Sequence, residues 1–433
     1  MAAQVHKNRI KRALPALLAL LLASAIVEQA GAAPPAAAAA GSDRPAVGAR
    51  QPYNAVRTLS ALQERMAQGD ETAFTMQKDI VREIADELKK TPPTVWREQR
   101  NRRALIKYAL SGGDPEMLRE VLGEKLFGAE ELPLAEGALA YAEGQRSVAL
   151  RHLEKVDVFA LPPSLAGHVA LVTAIVVANT DLARVVRLAD EARLLSPGTL
   201  VEETALRLGI EAAITRGDRP KFEMLSSRYF RRFPRSPYLG AIVRPVATAI
   251  AENGYGESPD GAKWVHDIVH YLDPHKLVQF YAALAEIGLR SAKLATTVNA
   301  ARMARKYARD GSPEHAWTQA YEGAALVIGL APEDGLALLN AAEAAGVAEP
   351  VVELISSARA ISHLIRSPPP ELTPPEPAAP AAAVASRTPA NPAAPAAKAK
   401  QAVAFASANQ IPAAVRTQSR IAQIDKMLKD IDE

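Results

Sequence analysis

An all-α solenoid of antiparallel helix pairs, tetratricopeptide-like in its spacing, is the fold that this sequence predicts. Three observations predict it. Residues 193–238, RLLSPGTLVEETALRLGIEAAITRGDRPKFEMLSSRYFRRFPRSPY, contain a proline stop, a capped helix, a Gly-Asp turn, a second helix and another proline stop, which together make one helical hairpin. Much of the remaining chain repeats that grammar, with Gly, Asp and Pro punctuating apolar residues at helical spacing. Hydrophobic residues make up 48% of the 433, yet aromatics only 5%, so an alanine-rich core favours close helix packing over aromatic-lined pockets.

The N-terminus carries Lys7, Arg9, Lys11 and Arg12, then an apolar run over 13–27, then the small residues Ala30, Gly31 and Ala32. This layout predicts a signal peptide over 1–32, cleaved after Ala32, with retention as an anchor the alternative. The apolar run is shorter than the roughly 20 residues of a spanning helix. Removing the four basic residues and Glu28 takes the balance from 51 basic against 48 acidic residues to 47 against 47. A near-neutral chain argues against nucleic acid as a partner. The absence of cysteine excludes disulfides, thiolate catalysis and a lipidated cysteine. These features together predict a periplasmic protein that does not span the membrane once its signal is removed.

Residues 33–50, rich in Ala, Pro and Gly, read as a flexible leader. Helices follow over 53–68 and 71–89, the second with Phe74, Ile80, Val81, Ile84 and Leu88 as its apolar residues, around a Gly69-Asp70 turn. The run EQRNRR over 98–103 reads as a solvated helix face in preference to a partner surface. Asp114 before Pro115 is a helix start, because the carboxylate accepts free backbone N–H groups. Two hairpin units are expected over 132–157 and 164–197, the second turning near 179–181. Within it VALVTAIVV, residues 169–177, reads as a buried helix rather than a strand because it opens a hairpin. In the next unit Glu202 and Glu203 read as first-turn charges opposing the helix dipole. A helix over 239–252 then meets the loop NGYGESPDG, residues 253–261, which divides an N-terminal helical-repeat domain, 51–252, from a C-terminal helical subdomain, 262–366. Eleven of the 32 prolines fall in 367–415, an extended linker about 40 Å across as a coil and up to roughly 150 Å as polyproline. Over 416–433 Ile421, Ile424, Leu428 and Ile431 share one helical face, which reads as a docking peptide or as a tail without a partner.

Few residues suggest chemistry. His266 and His270 stand one helical turn apart in WVHDIVHYLDPH, but Asp267 occupies the place of the glutamate in the zinc-protease pattern, and a third ligand is not evident. They read as structural or surface residues in preference to metal ligands. No phosphate-binding glycine loop and no G-x-S-x-G elbow occur. The run RYFRRFPRS places Tyr229 and Phe233 toward the core and leaves Arg231, Arg232 and Arg235 as a candidate arginine patch for carboxylates, beside the alternative of a solvated face.

The stretches PYNAVRTLSALQERMAQGD, LSGGDPEMLREVL, LPPSLAGHVALV, RLLSPGTLVEETALRLGI and GDRPKFEMLSSRYFRRFPRSPY resemble the MotC family of periplasmic motility proteins from rhizobia and their relatives. The resemblance runs from about residue 53 to residue 365 and rests on phrasing, with no catalytic signature. It implies a non-enzymatic protein without cofactors, required for flagellar rotation and associated with the periplasmic part of the stator protein MotB. The competing class is a periplasmic scaffold, accessory subunit or enzyme acting on peptidoglycan.

Overall fold

The computed structural model describes residues 51–367, with the exception of Leu330. The segments expected to be a signal peptide, a leader, a proline-rich linker and a terminal apolar face with Ile421, Ile424, Leu428 and Ile431 lie outside the described residues. Within them the chain is all-helical, with seventeen α-helices, two short 3-10 turns and no strand.

Side-chain caps and prolines set the helix ends. The first hairpin pairs α1 (Pro52–Ala67) with α2 (Glu71–Lys89), and Asp70 between them accepts the Ala73 N–H at 2.9 Å. A 3-10 turn (Pro93–Arg97) leads to α3 (Gln99–Leu110) and α4 (Glu116–Gly123), where Asp114 accepts the Glu116 N–H at 3.0 Å. The pairs α5 (Leu132–Ala142) with α6 (Arg146–Leu153) and α7 (Pro163–Val177) with α8 (Leu182–Leu195) follow, α8 being capped by Asp181. In the next hairpin α9 (Leu200–Arg216) ends at Gly217, whose φ of +68° suits a residue without Cβ, and Asp218 caps α10 (Arg219–Arg232). The remaining helices are α11 (Leu239–Glu252), α12 (Pro259–Val269), α13 (Pro274–Arg290), α14 (Leu294–Tyr307), α15 (Pro313–Ile328), α16 (Pro332–Ala344) and α17 (Glu349–Arg366).

Neighbouring helices pack in sequence, as helix pairs stacked into a solenoid do. One apolar cluster joins α1 through α7, a second α7 through α9, and a third runs from α9 to α14 without interruption at the 253–261 loop. The small residues foreseen from composition act where α15 crosses α16. A Cβ on Gly323 would lie 2.8 Å from the Gly335 carbonyl oxygen, and one on Gly335 2.6 Å from the Val327 nitrogen.

One set of contacts departs from nearest-neighbour stacking. α1 packs on α3, α3 on α7, α7 on α9, and α9 returns to α1, so that four helices close a ring. Ala67 at the end of α1 enters the cluster of Leu206, Ile210 and Ala213 on α9. Gln68 donates to the Gly198 carbonyl at 3.3 Å across 130 residues of chain. Gly69, with φ +92°, makes the turn possible, since a Cβ there would sit 2.4 Å from Arg235 Cβ. The ring crowds groups that stay partly open to water. Burial pushes the Glu211 carboxyl up to about 7, opposed by Arg207, while burial and nearby Lys107 push the His168 imidazole down to about 3.

Two expectations need correction. The EQRNRR run is a solvated face only in its first half: Glu98, Gln99 and Arg100 are exposed, but Asn101 is fully buried and accepts the Tyr53 N–H at 3.3 Å, while buried Arg102 binds Glu131 at 2.7 Å and two backbone carbonyls. Glu202 and Glu203 do occupy the first turn of α9, but both are 0% exposed. Glu203 accepts from Arg207 at 2.8–3.0 Å, from the Tyr229 hydroxyl at 2.8 Å and from Ser236 Oγ at 3.0 Å. Glu202 accepts from the Gly198 N–H at 2.6 Å and pairs with Arg232 at 2.8 Å and Arg228 at 3.3 Å. A carboxylate so enclosed persists because every donor facing it is already in place.

Three outcomes follow from this packing. Glu203→Ala strands the Arg207 charge and lowers unfolding free energy by about 3–5 kcal/mol, against under ~0.5 kcal/mol for exposed Arg231→Ala, both measured by urea denaturation. Gly69→Val opens the ring, read as faster hydrogen exchange in α1 and α2. Because folded Glu211 keeps a proton that the unfolded chain releases near 4.5, stability falls as pH rises from about 4.5 to about 7. Glu211→Gln therefore raises the melting temperature more at pH 8 than at pH 5.

Candidate binding cleft

The turn at 234–238 links α10 to α11 and is pinned from beneath. Ser236 Oγ donates to buried Glu203 and accepts the Tyr238 N–H at 3.1 Å, while the Arg207 guanidinium lies 4.9 Å from the centre of the Tyr238 ring. Facing this turn is the Gly69-Asp70 turn of the first hairpin, with Phe74 on α2 set edge-on to Tyr238 at 6.1 Å. The start of α13 forms the third wall. There Asp273 accepts the Lys276 N–H at 2.9 Å, and Lys276 Nζ donates to the Pro234 carbonyl at 3.0 Å.

Between these walls lies a cleft of about 370 Å³, lined by Asp70, Glu71, Phe74, Arg235, Asp273 and Lys276 among others. Its backbone is held at three points, but several of its side chains are uncommitted. Asp70 is taken by the Ala73 N–H that it caps and by Arg65, which in that order hold its carboxyl below the usual range. Glu71 and Arg235 are exposed and hold no ion pair among the described residues. Phe74, expected in the apolar stripe of α2, is instead 45% exposed, because α2 buries Ala73, Ile84 and Leu88. An unpaired cation, an unpaired carboxylate and an aromatic edge thus share one recess, chemistry suited to a peptide segment.

The three arginines singled out in the sequence separate. Arg231 points to solvent, the Arg232 guanidinium is committed to Glu202, and Arg235 lines the cleft. His266 lies in the last turn of α12 and His270 just past its end; neither is among the residues that line the cleft, and their ring centres are 6.0 Å apart. Among the described residues no group of three His, Asp or Glu is placed to hold a metal ion. No described helix is long and apolar enough to cross a membrane. Sequence reasoning missed Glu71, Phe74, Asp273 and Lys276, because residues near 70 and near 273 become neighbours only through the ring closure.

The family model described as "Chemotaxis protein MotC" matches residues 6–433. The chain is also 26% identical over 281 residues to the chemotaxis protein MotC of Rhizobium meliloti (strain 1021), a match that covers 64% of this chain and 63% of the relative. The chain thus spans somewhat under two thirds of that relative's length. No solved structure matches it. With a family model matching nearly end to end over a helical array of this kind, the chain belongs to the MotC family of chemotaxis proteins.

Proposed function

We propose that this protein acts by binding and not by catalysis: in the periplasm it seats the periplasmic part of the stator protein MotB and biases the stator toward the torque-competent state on which flagellar rotation depends. Membership of a family named for chemotaxis supports the motility role. The observation that carries the binding mode is the cleft between the Gly69 turn, the Arg235 turn and the start of α13. Its walls are tied by hydrogen bonds, that of Ser236 to Glu203 fully buried, so docking a segment costs little ordering of the receptor. Exposed Phe74 offers an aromatic anchor, and Arg235 a planar donor for a partner carboxylate.

The mature periplasmic form begins at Ala33, as Edman sequencing of the protein recovered by osmotic shock will report. It copurifies with the periplasmic domain of MotB, and Phe74→Ala or Arg235→Glu weakens that capture by about tenfold or more. Unchanged capture by both variants would remove the cleft from the interface. Deletion of the gene abolishes swimming while flagella still assemble, whereas motile cells with altered muropeptides would place the protein in peptidoglycan chemistry instead.

A further inference from the structure

We propose that His266, in the last turn of α12, and His270, just past its C-terminal end, form a two-imidazole site for a divalent transition metal outside the lining of the cleft. The spacing of four residues puts both rings on one helical face, and their centres lie 6.0 Å apart. What makes them a chelating pair is how each ring is held. His270 Nδ1 lies 3.0 Å from the Asp267 carbonyl oxygen. A carbonyl only accepts, so Nδ1 carries the proton and the Nε2 lone pair is free. His266 Nδ1 lies 3.1 Å from the Tyr281 hydroxyl. A hydroxyl oxygen accepts as well as donates, so it takes the Nδ1–H when a metal occupies Nε2. An outer partner on Nδ1 is the arrangement that orients imidazole ligands and sets their tautomer.

The surroundings keep His266 ready to ligate. The Tyr307 ring stacks on His266 at 6.4 Å with an interplanar angle of 19°, which limits its rotation. His270 is exposed and its ring is packed on Tyr271 at 3.9 Å, so this imidazole is accessible to an ion from solvent. No third His, Asp or Glu completes the set among the described residues. Water, or a ligand from an incoming partner, fills the other positions, and two nitrogen donors select zinc, nickel or copper over magnesium or calcium.

Zn²⁺ titration into the tag-free full chain, followed by calorimetry at pH 7.5, tests the site. One ion binds per chain, His266→Ala and His270→Ala each weaken binding by about tenfold or more, and Tyr281→Phe weakens it by a smaller factor through the lost partner of His266. His270→Ala keeps the wild-type melting temperature without zinc, since the ring is exposed, so loss of binding there is not loss of fold. Zinc bound with unchanged affinity by the double variant His266→Ala/His270→Ala, or no binding to the wild-type chain, would overturn the proposal.

Discussion

The carboxylate of Glu203 is the constraint on which the central part of the molecule depends. It is fully buried one turn into α9 and gathers Arg207 from its own helix, Tyr229 from α10 and Ser236 from the turn beyond. Taking that charge out of water is costly, and the cost is met only when all three donors arrive together. The requirement sets the register of α10 on α9 and the course of the 234–238 turn at once. Apolar contacts around it, such as Phe230 edge-on to both Tyr229 and Phe280, supply the burial but would tolerate small slips.

A related device recurs along the array. Glu131 is held by Arg102 and Arg103 from α3, Glu202 by Arg228 and Arg232 from α10, and Glu322 by Arg302 and Arg305 from α14. Each couples a buried carboxylate to two cations of one neighbouring helix. In an alanine-rich core, where small side chains permit helices to slide, such directional clamps select one packing among several of similar apolar area. Most of these arginines stay in part at the surface, Arg302 most of all, but their charges are committed to buried carboxylates, so a basic run in the sequence is a poor guide to a free basic face.

Closure of α1 on α9 separates this protein from a simple stack, in which each unit touches only the next. The closure gives the first hairpin a partner at both ends and brings residues near 70 against residues near 235 and 273. The candidate cleft is therefore a product of the closed ring, and binding there is coupled to whatever opens the ring. Burial displaces the titration of two groups on the ring helices in opposite senses, Glu211 on α9 upward and His168 on α7 downward.

The helix inventory was legible in the chain because its signals are local. Asp70, Asp181, Asp218 and Asp273 cap helices from one position before their starts, Gly217 turns the chain, and prolines stand at most first turns. Residues 169–177 proved helical, and Tyr229 and Phe233 proved buried, as their spacing implied. The phrases of residues 193–238 also carried the family. Burial of charge and long-range adjacency were not legible. Nothing within four residues of Arg102 or Arg232 announces a carboxylate about thirty residues away, although Arg207 four residues after Glu203 was a usable hint. Phe74 was misplaced because periodicity gives a stripe but not which flank of it a neighbour covers. Local backbone preference acts over one or two turns, and it determined the elements. Desolvation and packing act between segments more than a hundred residues apart, so the tertiary structure alone decided which arginines stay free and where a cleft opens.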